Sequence, residues 1–133
     1  MILNEKTKNF LINSALTCGN TLIITDLEKI IFVSSSSFDQ FINQPISNIL
    51  KQILNHKTDL KIYCNSILFR YDSLPLSYNK TDNLNYSSQI IIPLFKEESI
   101  VGSVIMVSFH KTFNNSNFEY LKTTAEFIQK MLD

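Results

Sequence analysis

An excess of charge of either sign is missing from this chain of 133 residues. Twelve Lys and Arg balance twelve Asp and Glu, for a formal net charge of +0, and Arg70 is the only arginine. Nothing therefore pulls the chain toward phosphate backbones, and nucleic acid is not an expected partner. Glycine is almost absent as well: two residues, Gly19 and Gly102, leave no room for a glycine-rich phosphate loop. The two cysteines, Cys18 and Cys64, allow one bridge at most, which excludes a disulfide-stapled secreted framework. They read as two reduced, buried thiols. A redox pair is the rival reading, although neither lies in a Cys-x-x-Cys motif or beside a cluster of cations. No apolar run approaches the ~20 residues of a spanning helix. The start, Met1 to Lys6, has neither the basic end nor the long apolar middle of a signal peptide. A cytoplasmic chain with no membrane partner is the expectation.

The residues of catalysis are also scarce. His56 and His110 are the only histidines. His56 ends a helical pattern beside Lys57, where a cation complements the helix dipole, and His110 closes a strand beside Lys111. No Cys, His or acidic group stands at metal-ligand spacing. No catalytic residue, metal ligand or cofactor site is expected, and the chain does not read as an enzyme.

What is present is a well-filled core composition: 44% hydrophobic, 11% aromatic and 18% charged. Residues 1–133 suffice for one domain and not two. A helix is predicted over about 4–18, with Phe10, Leu11, Ser14 and Ala15 on one side and Gly19 at its left-handed end. Thr21 to Thr25 and Ile30 to Val33 read as a hairpin around the polar turn Asp26 to Lys29. Both strands are apolar at nearly every position, so both faces of their sheet must be covered. Phe38, Phe41 and Ile42 fit a short helix. Pro45 suits the first turn of another over about 45–56, with Ile46, Ile49, Leu50, Ile53 and Leu54 as its stripe. A strand is expected over 60–69 and a long loop over 70–88, bearing Tyr71, Tyr78 and Tyr86. Gln89 to Phe95 and Ile100 to Phe109 form a second hairpin, in which Pro93 marks an edge or a bulge and Gly102 a close approach or a kink. The last helix, about 116–132, is expected to open on a capping box of Ser116 and Glu119.

Two features point beyond packing. Ser34, Ser35, Ser36 and Ser37 run between an apolar strand and an apolar helix. Their hydroxyls and amides suit the mouth of a pocket for a small polar molecule, beside Phe38 and Phe41. The plain alternative is a turn in which Ser37 caps the helix of Phe38. The terminal helices carry more apolar side chains than one sheet face requires. Phe10 and Leu11, with Ile12 and Leu16, stand on the first; Phe127, Ile128 and Met131 stand on the last. An interface between two copies would bury the excess, which predicts a symmetric homodimer through the terminal helices.

The second hairpin, Ile90-Ile91-Ile92-Pro93-Leu94, a polar turn, then Ile100-Val101-Gly102-Ser103-Val104, resembles the C-terminal hairpin of GAF domains. Ala125 to Ile128 continue the likeness into the closing helix. Asn20 to Asp26, Ile31 to Ser37 and Phe41 to Ser47 resemble the GAF-like regulatory half of the stage V sporulation protein T family. The likeness covers most of 10–64 and 88–132. Two departures matter: the family's amino-terminal DNA-binding half is not in these residues, and the segment from about Asn65 to Asn85 is longer than the family's. The resemblance implies an α/β (α+β) GAF-like domain, a central antiparallel sheet of about five strands with helices on both faces. It implies a non-enzymatic module in transcriptional control, connected with sporulation, that senses a small molecule or mediates self-association. A protein-binding adaptor with no small ligand is the other reading of the same residues.

Overall fold

The computed structural model describes residues 1–55, 60–62, 88–108 and 112–132. Helix α1 is Glu5–Cys18, followed by strands β1 (Thr21–Thr25) and β2 (Ile30–Val33). A 3-10 helix, Ser36–Phe41, leads to α2 (Asn48–Asn55) and a short β3 (Leu60–Ile62). Strands β4 (Ser88–Lys96) and β5 (Ser99–Ser108) then pair, and α3 (Asn115–Met131) closes the chain. The tyrosine-bearing loop, the remainder of the strand expected to 69, Cys64, His56 and His110 lie outside the described residues.

The strands make one five-stranded sheet in the order β2-β1-β5-β4-β3. Every pairing is antiparallel. Because side chains alternate across a strand, consecutive apolar residues feed two cores. Leu22, Ile24, Ile90, Ile92, Leu94, Val104 and Met106 enter one, where Leu11 of α1 and Leu121, Ala125 and Ile128 of α3 cover them. Ile23, Ile91, Ile105 and Val107 enter the other, beneath Phe38, Phe41, Ile46, Leu50 and Leu54. The unbroken apolar strands thus have the covered faces that their composition demands.

Local chemistry fixes the turns. The Asp26 carboxylate accepts from the Glu28 and Lys29 amides at 2.7 Å each, which sets the first hairpin. The second is tighter. Lys96 pairs with Ser99, so only Glu97 and Glu98 turn the chain, at φ 52 and 71. Pro93 lies opposite Ser103, and the ladder slips just beyond it, between Leu94 and Phe95. Gly102 is a close approach: a Cβ there would meet the carbonyl oxygen of Thr25 and, at 2.7 Å, the Met1 side chain. Gly19 ends α1 at φ 72, donating its N–H to Ala15.

Three local expectations are corrected. Pro45 is not in a helix; it sits opposite Lys29 in an isolated bridge. The 43–46 segment runs along the outer edge of β2, with Asn43 donating to Ile30, Ile30 to Gln44, and Ile46 to Glu28. Those bonds commit this stretch to the sheet edge, so α2 begins later, where the Ser47 hydroxyl accepts from the Leu50 amide at 3.1 Å. The 3-10 helix takes Ser35, not Ser37, as its first residue outside, without a side-chain cap. Helix α3 opens two residues earlier than expected: the Asn117 side-chain oxygen accepts from the Asn114 N–H at 3.0 Å and the Asn114 side-chain oxygen from the Asn117 N–H at 3.2 Å.

Candidate functional site

The serine segment is built from the end of β2. Ser34 prolongs the ladder, its N–H donating to the Leu22 carbonyl and its Oγ accepting from the Leu22 amide at 2.8 Å. The Ser35 and Ser37 hydroxyls are bonded to each other at 2.8 Å, and Ser36 and Ser37 are exposed. Phe38 and Phe41 turn inward and pack edge to face with ring centroids 5.6 Å apart. The structure therefore keeps the serines and phenylalanines adjacent in the chain but separates them in environment. Ser36 and Ser37 meet water, Ser34 is tied to β1, and the rings belong to the core beneath the sheet.

The terminal helices lie side by side on the opposite face. α1 turns Thr7, Leu11 and Ser14 inward, and α3 turns Leu121, Thr124, Ala125 and Ile128 inward. Leu11 and Ile128 are completely buried within the chain's own core, so neither is on a surface that a second copy reaches. Phe10 and Phe127 face each other across the helix pair, ring centroids 5.8 Å apart and tilted by 49°. Phe10 and Met131 are half-buried, and Phe127 is 50% exposed, with the Lys130 ammonium 5.8 Å from its ring centroid. Between the helices runs an open groove of about 650 Å³. Tyr120 crosses it, its hydroxyl donating to the Ser14 carbonyl at 3.0 Å. Ser116, Thr123 and Phe127 line its other wall. Ser116, Tyr120, Thr123 and Phe127 recur at helical spacing, a second stripe on α3 beside its core stripe. That recurrence is legible in the sequence, but small polar residues at half its positions conceal it.

A smaller polar cavity of about 350 Å³ lies at one end of the sheet, lined by Cys18, Asn20, Ser108, Asn114 and Asn117 among others. The Cys18 thiol is half-buried and points at the Ala15 carbonyl, 3.6 Å away. Among the described residues no three His, Cys, Asp or Glu come together as a metal site, and no helix is long and apolar enough to cross a membrane.

A five-stranded antiparallel sheet with paired terminal helices on one face and short helices on the other defines a GAF-like domain. Solved structures share this fold. The GAF domain of a phosphoenolpyruvate-protein phosphotransferase from Acinetobacter is 10% identical, with a TM-score of 0.68 over 94% of this chain and 81% of that one. The cofactor binding GAF domain of the nutrient sensor CodY from Clostridium difficile is 11% identical, with a TM-score of 0.67 over 94% and 83%. A type II free methionine-R-sulfoxide reductase from Thermoplasma acidophilum is 15% identical, with a TM-score of 0.64 over 98% and 94%. No curated protein matches the chain. The profile of the family described as "Stage V sporulation protein T C-terminal, transcription factor" matches residues 3–133, and the chain belongs to that family.

Proposed function

We propose that this chain is a non-enzymatic regulatory domain that acts in transcriptional control by associating with a second copy through its terminal helices. The carrying observation is Phe127, half exposed against Phe10 at the rim of the α1–α3 groove. Leaving a large apolar side chain in water forgoes roughly 1.5–3 kcal/mol. Membership in a transcription-factor family supports a regulatory role in place of catalysis. Phe127→Glu together with Met131→Glu is expected to yield a folded monomer, judged by sedimentation velocity and circular dichroism. A double variant that still dimerises removes these residues from the interface.

A second reading gives the domain a small-molecule input at Ser34 to Ser37. It is favoured by the exposure of Ser36 and Ser37 in the first turn of a 3-10 helix anchored in the core by Phe38 and Phe41. The shared fold with the cofactor binding domain of a nutrient sensor is in keeping with it. A thermal-shift screen of metabolites on the wild type and on Ser36→Ala/Ser37→Ala tests it. A metabolite that raises the midpoint of the wild type and not of the variant supports the site. A metabolite that shifts both equally places its site elsewhere.

A further inference from the structure

Helix α1 is dressed the wrong way round for a helix that merely covers a sheet. Its buried side includes Thr7 and Ser14, while Leu16 is 76% and Ile12 40% exposed. Ile12 and Leu16 are four residues apart and share a flank. Phe10 is two residues from Ile12, about 200° around the helix at 3.6 residues per turn, so the two point to different sides. Phe10 faces the groove shared with α3, and Leu16 stands on the side of α1 turned away from the sheet. Leu16 therefore cannot fill the groove of its own chain.

The flank of α1 around Leu16 is also uncharged. No charged residue occurs between Lys8 and Asp26, and the exposed positions beside Leu16 on α1 are Asn9, Ile12, Asn13 and Thr17. A second copy laid against this surface desolvates no ion on α1, and its asparagines offer both a donor and an acceptor to their own kind. An acidic or basic partner has no counter-charge to find there. The chain thus carries an apolar projection and a groove whose rim is Phe10 and Phe127, lined otherwise by polar side chains with Glu119 as its one carboxylate.

We infer that Leu16 of each copy seats in the α1–α3 groove of the other, against Phe127, so that one two-fold axis closes both contacts. This rests on the self-association reading and names the contact that makes it specific. The test is a double-mutant cycle read by sedimentation equilibrium. Leu16→Ala and Phe127→Ala are each expected to raise the dimer Kd about tenfold, and the double variant by little more than either alone, because both remove one contact. Effects that multiply to about a hundredfold, or a Leu16→Ala protein as tight as the wild type, overturn the pairing while leaving self-association intact. A wild-type chain that is monomeric throughout overturns the reading beneath it. Assemblies that grow beyond the dimer overturn the closed two-fold. Leu16→Cys with Thr123→Cys, in a Cys18→Ser/Cys64→Ser background, gives an independent check. Oxidation is expected to produce a covalent dimer, and its absence from a dimeric protein contradicts the seating.

Discussion

Gly102 and Gly19 are the two positions at which a side chain is refused, for different reasons. At Gly102 a Cβ meets backbone, the Thr25 carbonyl of the neighbouring strand, which cannot swing aside. At Gly19 nothing lies within 4 Å, and only the positive φ of 72 resists substitution. Gly19→Ala is expected to cost about 1 kcal/mol, the ordinary penalty of a left-handed Ala. Gly102→Ala is expected to cost at least twice that in denaturant unfolding; the reverse order contradicts the packing described. The Glu97-Glu98 turn carries the opposite liability, since two glutamates occupy left-handed positions that favour Asn and Gly. Glu97→Asn with Glu98→Gly is expected to stabilise the hairpin by roughly 1 kcal/mol, visible as a higher midpoint in thermal unfolding. The sequence marked Gly102 as a close approach or a kink, and could not say which or against what. The contact joins residues 77 positions apart, from Thr25 to Gly102.

Elements were legible where their periodicity was strong. The two hairpins, α1 and α3 follow from apolar runs and a glycine stop. Their ends were less legible where several residues compete for one role. Asn114, Asn115, Ser116 and Asn117 all suit a cap, and the structure settles on Asn114 and Asn117, each side-chain oxygen accepting from the other's backbone N–H. Phe113 before that cap and Phe118 after it both join the core, at the spacing of a hydrophobic staple, and this fixes the register. Pro45 misled for a different reason. The hydrogen bonds of 43–46 go to the edge of β2, and a nonlocal ladder leaves no signal in local spacing. The first helix shows which apolar residues belong to the core. Leu11→Ala is expected to cost about 2–5 kcal/mol of stability because the side chain is wholly enclosed. Leu16→Ala, at a concentration where the chain is monomeric, is expected to change stability by less than about 0.5 kcal/mol. Equal losses at the two positions contradict the orientation of α1.

At the scale of the molecule, unbroken apolar strands implied two covered faces, and two cores are present. The candidate sites were less accessible to sequence reasoning, because exposure within a helix depends on which neighbour it meets. Phe10, Leu11, Phe127 and Ile128 look alike as apolar residues on terminal helices; only the placement of α1 beside α3 separates the enclosed pair from the rim pair. The serine segment was legible as unusual, while the inward turn of Phe38 and Phe41 was not. Electrostatics is a property of the whole chain. With a formal net charge of +0, these residues are expected to leave duplex DNA unshifted in a gel assay at physiological salt and low micromolar protein. A salt-sensitive shift contradicts that expectation.

Association of two copies is the central claim, and sedimentation equilibrium of the unaltered chain over about 1–100 micromolar tests it most directly. A dimer Kd in the micromolar range corresponds to about 8 kcal/mol of binding free energy, the net of burial at the helix surfaces and the costs of association and side-chain ordering. The predicted result is a mass that rises from one chain to two across that range and goes no further. A mass that stays at a single chain up to about 100 micromolar contradicts it.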